Sequence, residues 1–326
     1  MIPASCLVTG GTGSFGQAYV RHLLAAGCKR IVVLSRDELK QAMFAEALGF
    51  PSSVRFYLGD VRDEARLRIA FQGVETVAHA AALKRVDKVA SDTEEIVKTN
   101  VWGTQNVLRA ALEAGVGRIL LISSDKASSP TNIYGVSKSM AEFNTIGWNA
   151  YSVPRGVRCS VVRYGNVLGS RGSVVHLWRR AVQAGQPIPL TDELMTRFWL
   201  TLDAATKFVD HALDTMRGGE IFVPGLPATT MVDLAEALAP GHPRTIIGLR
   251  AGGEKLHEEL MTDGEMHRSR IDAPWGYVIP PHLHSWAADW SDLPPQGMPF
   301  VYRSDCVPRI SIAQMARMLK AVPEEA

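Results

Sequence analysis

The chain has 326 residues, with 35 Lys+Arg against 33 Asp+Glu, 46% hydrophobic and 21% charged residues. That length accommodates about two domains with real cores, and the composition excludes disordered, collagen-like and coiled-coil classes. A net charge of +2 spread along the chain argues against a nucleic-acid partner held by phosphate neutralisation and points to a small ligand.

In chain order, β-branched runs over 6–9, 30–34, 54–58, 76–79, 118–123 and 159–163 predict strands. Between them, 15–26, 38–48, 64–71, 93–114 and 134–150 carry apolar residues at helical spacing. This alternation predicts an α/β fold, a doubly wound parallel (Rossmann) sheet over residues 1–164 whose ligands sit at the carboxyl ends of the strands. Beyond it, helices over 174–184, 204–217 and 231–239 and strands over 219–223 and 245–249 predict a smaller C-terminal α/β substrate-binding region, 165–326, with later segments returning to the sheet. Residues 274–308 hold seven of the 18 Pro, which predicts an extended cover, and 310–321 closes as an amphipathic helix. Cys6, Cys28, Cys159 and Cys306 are scattered, without the spacing of a disulfide framework or metal site, so a reducing cytoplasm is expected. No run approaches the ~18 apolar residues of a membrane helix.

Gly10-Gly11-Thr12-Gly13-Ser14-Phe15-Gly16 follows the first strand and opens the first helix. Gly10, Gly13 and Gly16 suit a tight turn, close approach to a pyrophosphate and close helix–strand packing, so this is a dinucleotide site, with Thr12, Ser14 and Phe15 in the same contact surface. The second strand ends in Ser35-Arg36, a hydroxyl and a guanidinium that suit the 2′-phosphate of NADP, with Lys40 in the same set. Asp37 is the acid that argues for NAD; NADP is favoured over it. Asp60 and Val61 end the third strand where adenine is expected, although Asp60 equally suits a helix cap. Ala80, Ala81 and Lys84 follow the fourth strand, where they would face the cofactor.

Ser124-Asp125-Lys126 ends the fifth strand, and Tyr134 and Lys138 open the next helix. Four residues apart, Tyr134 and Lys138 share a helix face, and an ammonium beside a phenol lowers its pKa toward that of a working base. Downstream, Arg197 offers a fork for phosphate and Glu254 an acceptor for ribose hydroxyls. Ser173 and Val174 begin a helix whose N–H groups suit an anion, and Thr191 offers a hydroxyl. Taken singly, Thr191, Arg197 and Glu254 suit turns and caps as well. His79 and His257 read as packing residues.

Ser124, Tyr134 and Lys138 behind a dinucleotide half resemble the active site of the extended short-chain dehydrogenase/reductase family. The resemblance narrows through Thr9–Gly16, Ser35–Gln41, Gly59–Asp63, Ser124–Ala127, Arg163–Ser173, Met195–Trp199 and Gly253–Glu258. Together these are similar to the soluble inverting UDP-N-acetylglucosamine 4,6-dehydratases of the pseudaminic acid and capsule sugar type. The membrane-anchored retaining relatives carry a transmembrane region this chain lacks.

The resemblance implies a UDP-sugar substrate, NADP, no membrane or nucleic-acid partner, and a homo-oligomer between dimer and hexamer. It makes Tyr134 the acceptor of the C4 hydroxyl proton, Ser124 a hold on that oxygen and Lys138 a hold on the cofactor ribose, with Tyr164 also at the cofactor. Lys126 would be the C5 base with a lowered pKa, Asp125 the C6 acid with a raised one, Asn166 a pyrophosphate ligand and Thr191 a contact to the uracil, with Lys84 facing cofactor or sugar. Arg85, Asp87 and Ala90 stand where His, Pro and Glu are usual, which puts substrate detail and assembly in question. Two other readings use the same residues differently. A nucleotide-sugar 4-epimerase or dehydrogenase would need Tyr134 and Lys138 but not Lys126. A non-catalytic NADP-binding sensor would have no need of the full proton relay.

Overall fold

The computed structural model describes residues 2–84, 92–250, 252–282, 284–297 and 301–322; Arg85, Asp87 and Ala90 lie outside the described residues. The strands of the first half are β1 (Ser5–Thr9), β2 (Arg30–Ser35), β3 (Val54–Leu58), β4 (Thr76–His79), β5 (Arg118–Ile122) and β6 (Arg158–Val162). The later ones are β7 (Asn166–Val167), β8 (Ile188–Leu190), β9 (Thr196–Leu200), β10 (Ile221–Pro224), β11 (Ala228–Thr230), β12 (Arg244–Ile246), β13 (Arg270–Asp272) and β14 (Gly276–Ile279). Helices α1 (Ser14–Ala25), α2 (Glu38–Leu48), α3 (Glu64–Ala70), α4 (93–114) and α5 (Ile133–Gly147) alternate with the first strands. They are followed by α6 (Asn149–Ser152), α7 (Val174–Gln183), α8 (Leu202–Thr215), α9 (Met231–Leu238), α10 (Asp263–Arg268) and α11 (Ile312–Lys320).

The main sheet has the order β13-β14-β10-β6-β5-β4-β1-β2-β3. All neighbours from β3 to β10 are parallel, and β14 and β13 join antiparallel at one edge. Successive side chains of a strand point to opposite faces. Ile31 and Val33 of β2 therefore join an apolar cluster with Tyr19 and Leu23 of α1 and Phe208 of α8. Val32 and Leu34 join another with Leu67 of α3 and Val107 and Leu108 of α4. A strand covered on both faces reads as an unbroken apolar run, which is why β2 was legible. Strand order reverses between β1 and β4, and the crevice at their carboxyl ends is where this architecture, a Rossmann-like doubly wound sheet, binds ligands. A third cluster, around Trp178 of α7, Trp199 of β9 and Met315 of α11, packs the segments outside the main sheet.

The predicted strand 219–223 forms as β10, parallel to β6, and 245–249 contracts to β12, paired with β8. Helix α4 holds a π turn over Val97–Trp102, an extra residue per turn that a 3.6-residue periodicity does not register. Strands β7, β8, β9, β11, β13 and β14 went unpredicted because they are two to five residues long and take their pairing from other segments. Ser311 and Gln314 close a reciprocal capping box that starts α11. Among the described residues no helix is long and apolar enough to cross a membrane.

Glu220, beside β10, is fully buried. Its Oε1 accepts from Ser160 Oγ at 2.5 Å and the Arg217 N–H at 2.9 Å, while Oε2 is buried without a hydrogen-bond partner among the described residues. Burial pushes its pKa up to about 7. The folded state thus binds this proton more tightly than the unfolded chain. The resulting stabilisation is complete below the ordinary carboxylate range and is lost as pH rises through the raised value, on the order of 3 kcal/mol in all. Glu220→Gln should remove that part of the pH dependence and be the more stable protein at about pH 8. Urea unfolding of both proteins on either side of the transition is the check, and an equal decline in both would contradict it.

Candidate active site

Every candidate residue named from the sequence lines one cleft of about 1250 Å³ at the carboxyl ends of the parallel strands. Its floor is the turn between β1 and α1. Gly10 has φ +64°, and a Cβ there would lie 2.9 Å from the backbone of Ala81 after β4. At Gly16 a Cβ would collide with the Gly10 carbonyl. The turn is therefore closed to side chains but open to a ligand. Gly13, the residue before α1, gives that helix no side-chain cap, so its first-turn N–H groups suit a pyrophosphate. Thr9 Oγ1 accepts from the N–H groups of Ala80 and Ala81 at 3.1 and 3.2 Å and lies 2.6 Å from His79 Nδ1, tying β1 to the loop after β4. Burial holds His79 neutral, at a pKa of about 3. The residue is a brace, as its isolation in the sequence suggested.

At the end of β2, Gln41 Nε2 donates to Ser35 Oγ at 3.2 Å. Asp37 caps α2, accepting from the Lys40 N–H at 3.0 Å and the Lys40 ammonium at 2.6 Å, which holds its carboxyl below the usual range. Arg36 is half exposed, 3.9 Å from Asp60. Asp60 does not cap α3. It accepts from the Arg62 N–H and guanidinium, and Asp63 takes the cap. Sequence reasoning missed Arg171, whose N–H donates to Ser14 Oγ at 2.8 Å and whose guanidinium meets the Thr12 carbonyl, so the loop after β7 closes over the glycine turn.

Ser124 caps a 3₁₀ turn, Asp125–Ala127, and donates to Asp125 Oδ1 at 2.8 Å. Lys126 Nζ donates to the same Oδ1 at 3.0 Å and lies 3.2 Å from Glu258 Oε1. Tyr134 and Lys138 are buried on α5, whose start is capped by Asn132. Lys138 Nζ donates to the Ile122 carbonyl at 2.7 Å. Asn100, in the π turn of α4, bonds both the N–H and the carbonyl of Leu83 and also Ser137 Oγ, so it fixes the loop after β4 against α5.

Two expectations about proton affinity are corrected. Lys126 was expected to be depressed. Burial does pull it down, but the carboxylates of Asp125 and Glu258 outweigh burial and push it above the ordinary lysine value. Tyr134 was expected to be lowered by Lys138. Burial instead raises the phenol, and the groups that oppose burial are Lys126 and the Ser124 hydroxyl. Lys138 is itself lowered to about 8 by burial. Asp125 is raised by burial, in the expected direction.

On the substrate side, Asn166 Oδ1 and Ser173 Oγ are buried without a hydrogen-bond partner among the described residues. Polar atoms in that state are what a ligand site leaves behind. Ser173 precedes α7 without capping it, and Val174 and Thr191 line the same end. Arg197 is buried and donates to the carbonyls of Thr196, Lys255 and Leu256 at 2.7, 2.9 and 3.1 Å, and to Glu254 Oε1 at 3.4 Å. Glu254 is also gripped by Arg250 at 2.5 Å, which keeps its carboxyl ionised against burial. Glu258 lay inside the Gly253–Glu258 motif, but no local pattern linked it to Lys126.

A sequence profile described as "Polysaccharide biosynthesis protein" matches residues 6–277. The chain is 44% identical over 263 residues to the UDP-N-acetylglucosamine 4,6-dehydratase (inverting) of Campylobacter jejuni, covering 80% of this chain and 78% of that protein. It is 38% identical over 284 residues to a UDP-glucose 4-epimerase of Rickettsia typhi, covering 85% and 82%. The X-ray structure of Pen from Bacillus thuringiensis superposes with a TM-score of 0.89 at 32% identity over 97% of this chain and 96% of that one. The dTDP-glucose 4,6-dehydratase DesIV of Streptomyces venezuelae, solved with NAD and TYD bound, superposes with a TM-score of 0.69 at 26% identity over 77% and 86%.

Proposed function

Because the chain belongs to the polysaccharide biosynthesis protein family, we propose that it dehydrates UDP-N-acetylglucosamine to a UDP-2-acetamido-2,6-dideoxy-4-keto-hexose, with inversion at C5 to the L-arabino product. The observation that carries this reading is the pair of a buried Asp125 and a partly buried Lys126, which line the cleft with Ser124 and Tyr134 and have Nζ 3.0 Å from Oδ1. A simple oxidation or epimerisation at C4 needs no such pair. The relative named a dehydratase supports the same reading.

The glycine turn of Gly10, Gly13 and Gly16 would hold a nicotinamide dinucleotide, which would supply the hydride chemistry between C4 and C6. The chain's own groups handle the protons. Ser124 holds the C4 oxygen, Tyr134 accepts its proton, and Lys138 orients the ribose. A 4-ketone acidifies the C5 hydrogen, so Lys126 as base and Asp125 as acid remove water across C5 and C6. Protonation of C5 from the opposite face inverts that centre. Asn166, Ser173, Val174 and Arg197 would hold the diphosphate end, Glu254 the ribose and Thr191 the uracil, with Lys84 between cofactor and sugar. Residues 1–164 would carry the cofactor and 165–326 the sugar nucleotide.

An NMR time course with UDP-N-acetylglucosamine in D2O tests the reading. Deuterium at C5 and a 6-deoxy-4-keto sugar of inverted configuration are expected. A C4 epimer, as the Rickettsia relative's name would suggest, or net reduced cofactor would overturn it.

NADP is the proposed cofactor because Arg36 and Lys40 flank the end of β2 while Asp37 is turned to cap α2. Dissociation constants for the two cofactors should favour NADP, and tighter NAD binding would refute this. A homo-oligomer is supported by the exposed Trp102 on α4 and by Val136, Met140 and Phe143, which share one side of α5; a single-chain mass by light scattering would rule it out. The buried free thiols of Cys6, Cys28 and Cys159 suit the cytoplasm.

A further inference from the structure

We propose that Glu258 is a positioning residue that takes the proton of Lys126 and so arms it as the C5 base, an inference resting on the dehydratase reading above. Lys126 can abstract a proton only as the neutral amine, yet its ammonium sits between two carboxylates, 3.0 Å from Asp125 Oδ1 and 3.2 Å from Glu258 Oε1. The proton has to leave Nζ for one of them. Asp125 is poorly placed to take it, because it must present its own proton to the departing C6 hydroxyl and its Oδ1 already accepts from Ser124 at 2.8 Å. Glu258 remains. It is 2% exposed, and its Oε2 has no hydrogen-bond partner among the described residues. Its backbone is fixed by Ser304, which accepts from the Glu258 N–H at 3.0 Å and donates its own N–H to the Glu258 carbonyl at 2.8 Å.

The charged groups facing this carboxylate come from three directions. Asp125 and Lys126 lie on the 3₁₀ turn, Arg197 Nε on β9 is 3.9 Å from Oε1, and Lys255 Nζ is 3.7 Å from Oε2. The Tyr134 phenol feels the same charges, and Lys84 adds to the field at Lys126. Burial opposes ionisation of Glu258, but the Lys126 ammonium first, then Arg197 and Lys255, outweigh it and hold the carboxyl below its ordinary range, so it is anionic in the resting site, which is the state an acceptor needs. In the step itself, the Nζ–H bond breaks and an Oε1–H bond forms, leaving a neutral amine. The amine lone pair then takes the C5 hydrogen, the C5–H electron pair becomes the C5=C6 bond, and the C6 hydroxyl leaves as water with the Asp125 proton. The set resets when Lys126 passes the C5 proton to Asp125 and regains its own from Glu258.

Glu258→Gln keeps the shape and removes the acceptor. Elimination should fall about 100-fold with nucleotide-sugar affinity unchanged, and the 4-keto hexose that still bears its 6-hydroxyl should accumulate by mass spectrometry. The wild-type elimination rate should be flat between about pH 7 and 9, because the proton moves internally. In the variant it should climb with pH, since Lys126 must then discharge to solvent. Glu258→Asp should recover part of the rate and the flat profile. Should the glutamine variant not fold, the aspartate variant carries the test, with elimination slowed and formation of the 4-ketone unaffected. Wild-type elimination and pH profile in Glu258→Gln would overturn the proposal, as would equal loss of 4-ketone formation and elimination in either variant. Absence of elimination in the wild-type protein would instead sink the dehydratase reading.

Discussion

Lys126→Ala should lower dehydration of UDP-N-acetylglucosamine about 10³-fold while binding of the nucleotide sugar and of cofactor is retained. The argument is geometric. Nζ is held by Asp125 and Glu258, at 3.0 and 3.2 Å, so its removal deletes a proton carrier. Ser124, Tyr134 and Lys138 remain, and C4 can still be oxidised. Product analysis should therefore find a 4-keto hexose that keeps its C6 hydroxyl. The substitution also removes the cation that lies beside two carboxyl groups that are 1% and 2% exposed. Turnover equal to wild type would exclude Lys126 as the base.

Arg163→Ala should cost about 3–5 kcal/mol of stability, a large part of the roughly 5–15 kcal/mol that holds a typical domain folded. Arg163 follows β6 and is 3% exposed. Its guanidinium donates to Glu142 at 3.1 and 2.6 Å, to both oxygens of Glu265 at 2.9 Å, and to the Leu260 carbonyl at 3.0 Å. Alanine would leave the Glu142 and Glu265 carboxylates without the guanidinium that pairs with both. Lysine cannot replace the planar fork and should rescue little. Because those carboxylates can discharge by taking up protons, the deficit measured by urea unfolding should shrink at acid pH. A deficit of the same size at pH 5 and pH 8, or one below about 1 kcal/mol, would contradict the assignment. Glu142 lies on α5 with Tyr134 and Lys138, and Glu265 closes the capping box of α10, so loss of activity should accompany loss of stability.

Much of the scaffold was legible because its signals are local. The apolar run at β2 reports burial on both faces, the Gly10–Gly16 spacing reports a turn that excludes side chains, and Tyr134 and Lys138 share a face because a helix repeats every 3.6 residues. Short pieces were not legible. Strand β9 is recognisable only beside β7 and β11, and the π turn that delivers Asn100 to Leu83 and Ser137 has no periodic signature. Asp37 and Asp60 illustrate a further limit. Each was placed correctly along the chain, but whether its carboxylate faces a ligand, a helix end or an arginine depends on neighbours that sequence order does not list.

The charge state of the reacting groups belongs to that second class. A lysine next to an aspartate in a cleft was expected to lose proton affinity through burial, and Lys126 gains it because Asp125 beside it and Glu258 from a distant segment together outweigh burial. By itself the sequence determined the parallel sheet, the glycine turn and the residue types at the strand ends, all products of steric rules acting over a few neighbouring residues. Tertiary structure alone decided which carboxylate faces Lys126 and which proton each group holds, because Coulomb energy and desolvation depend on distance through space and not on separation along the chain.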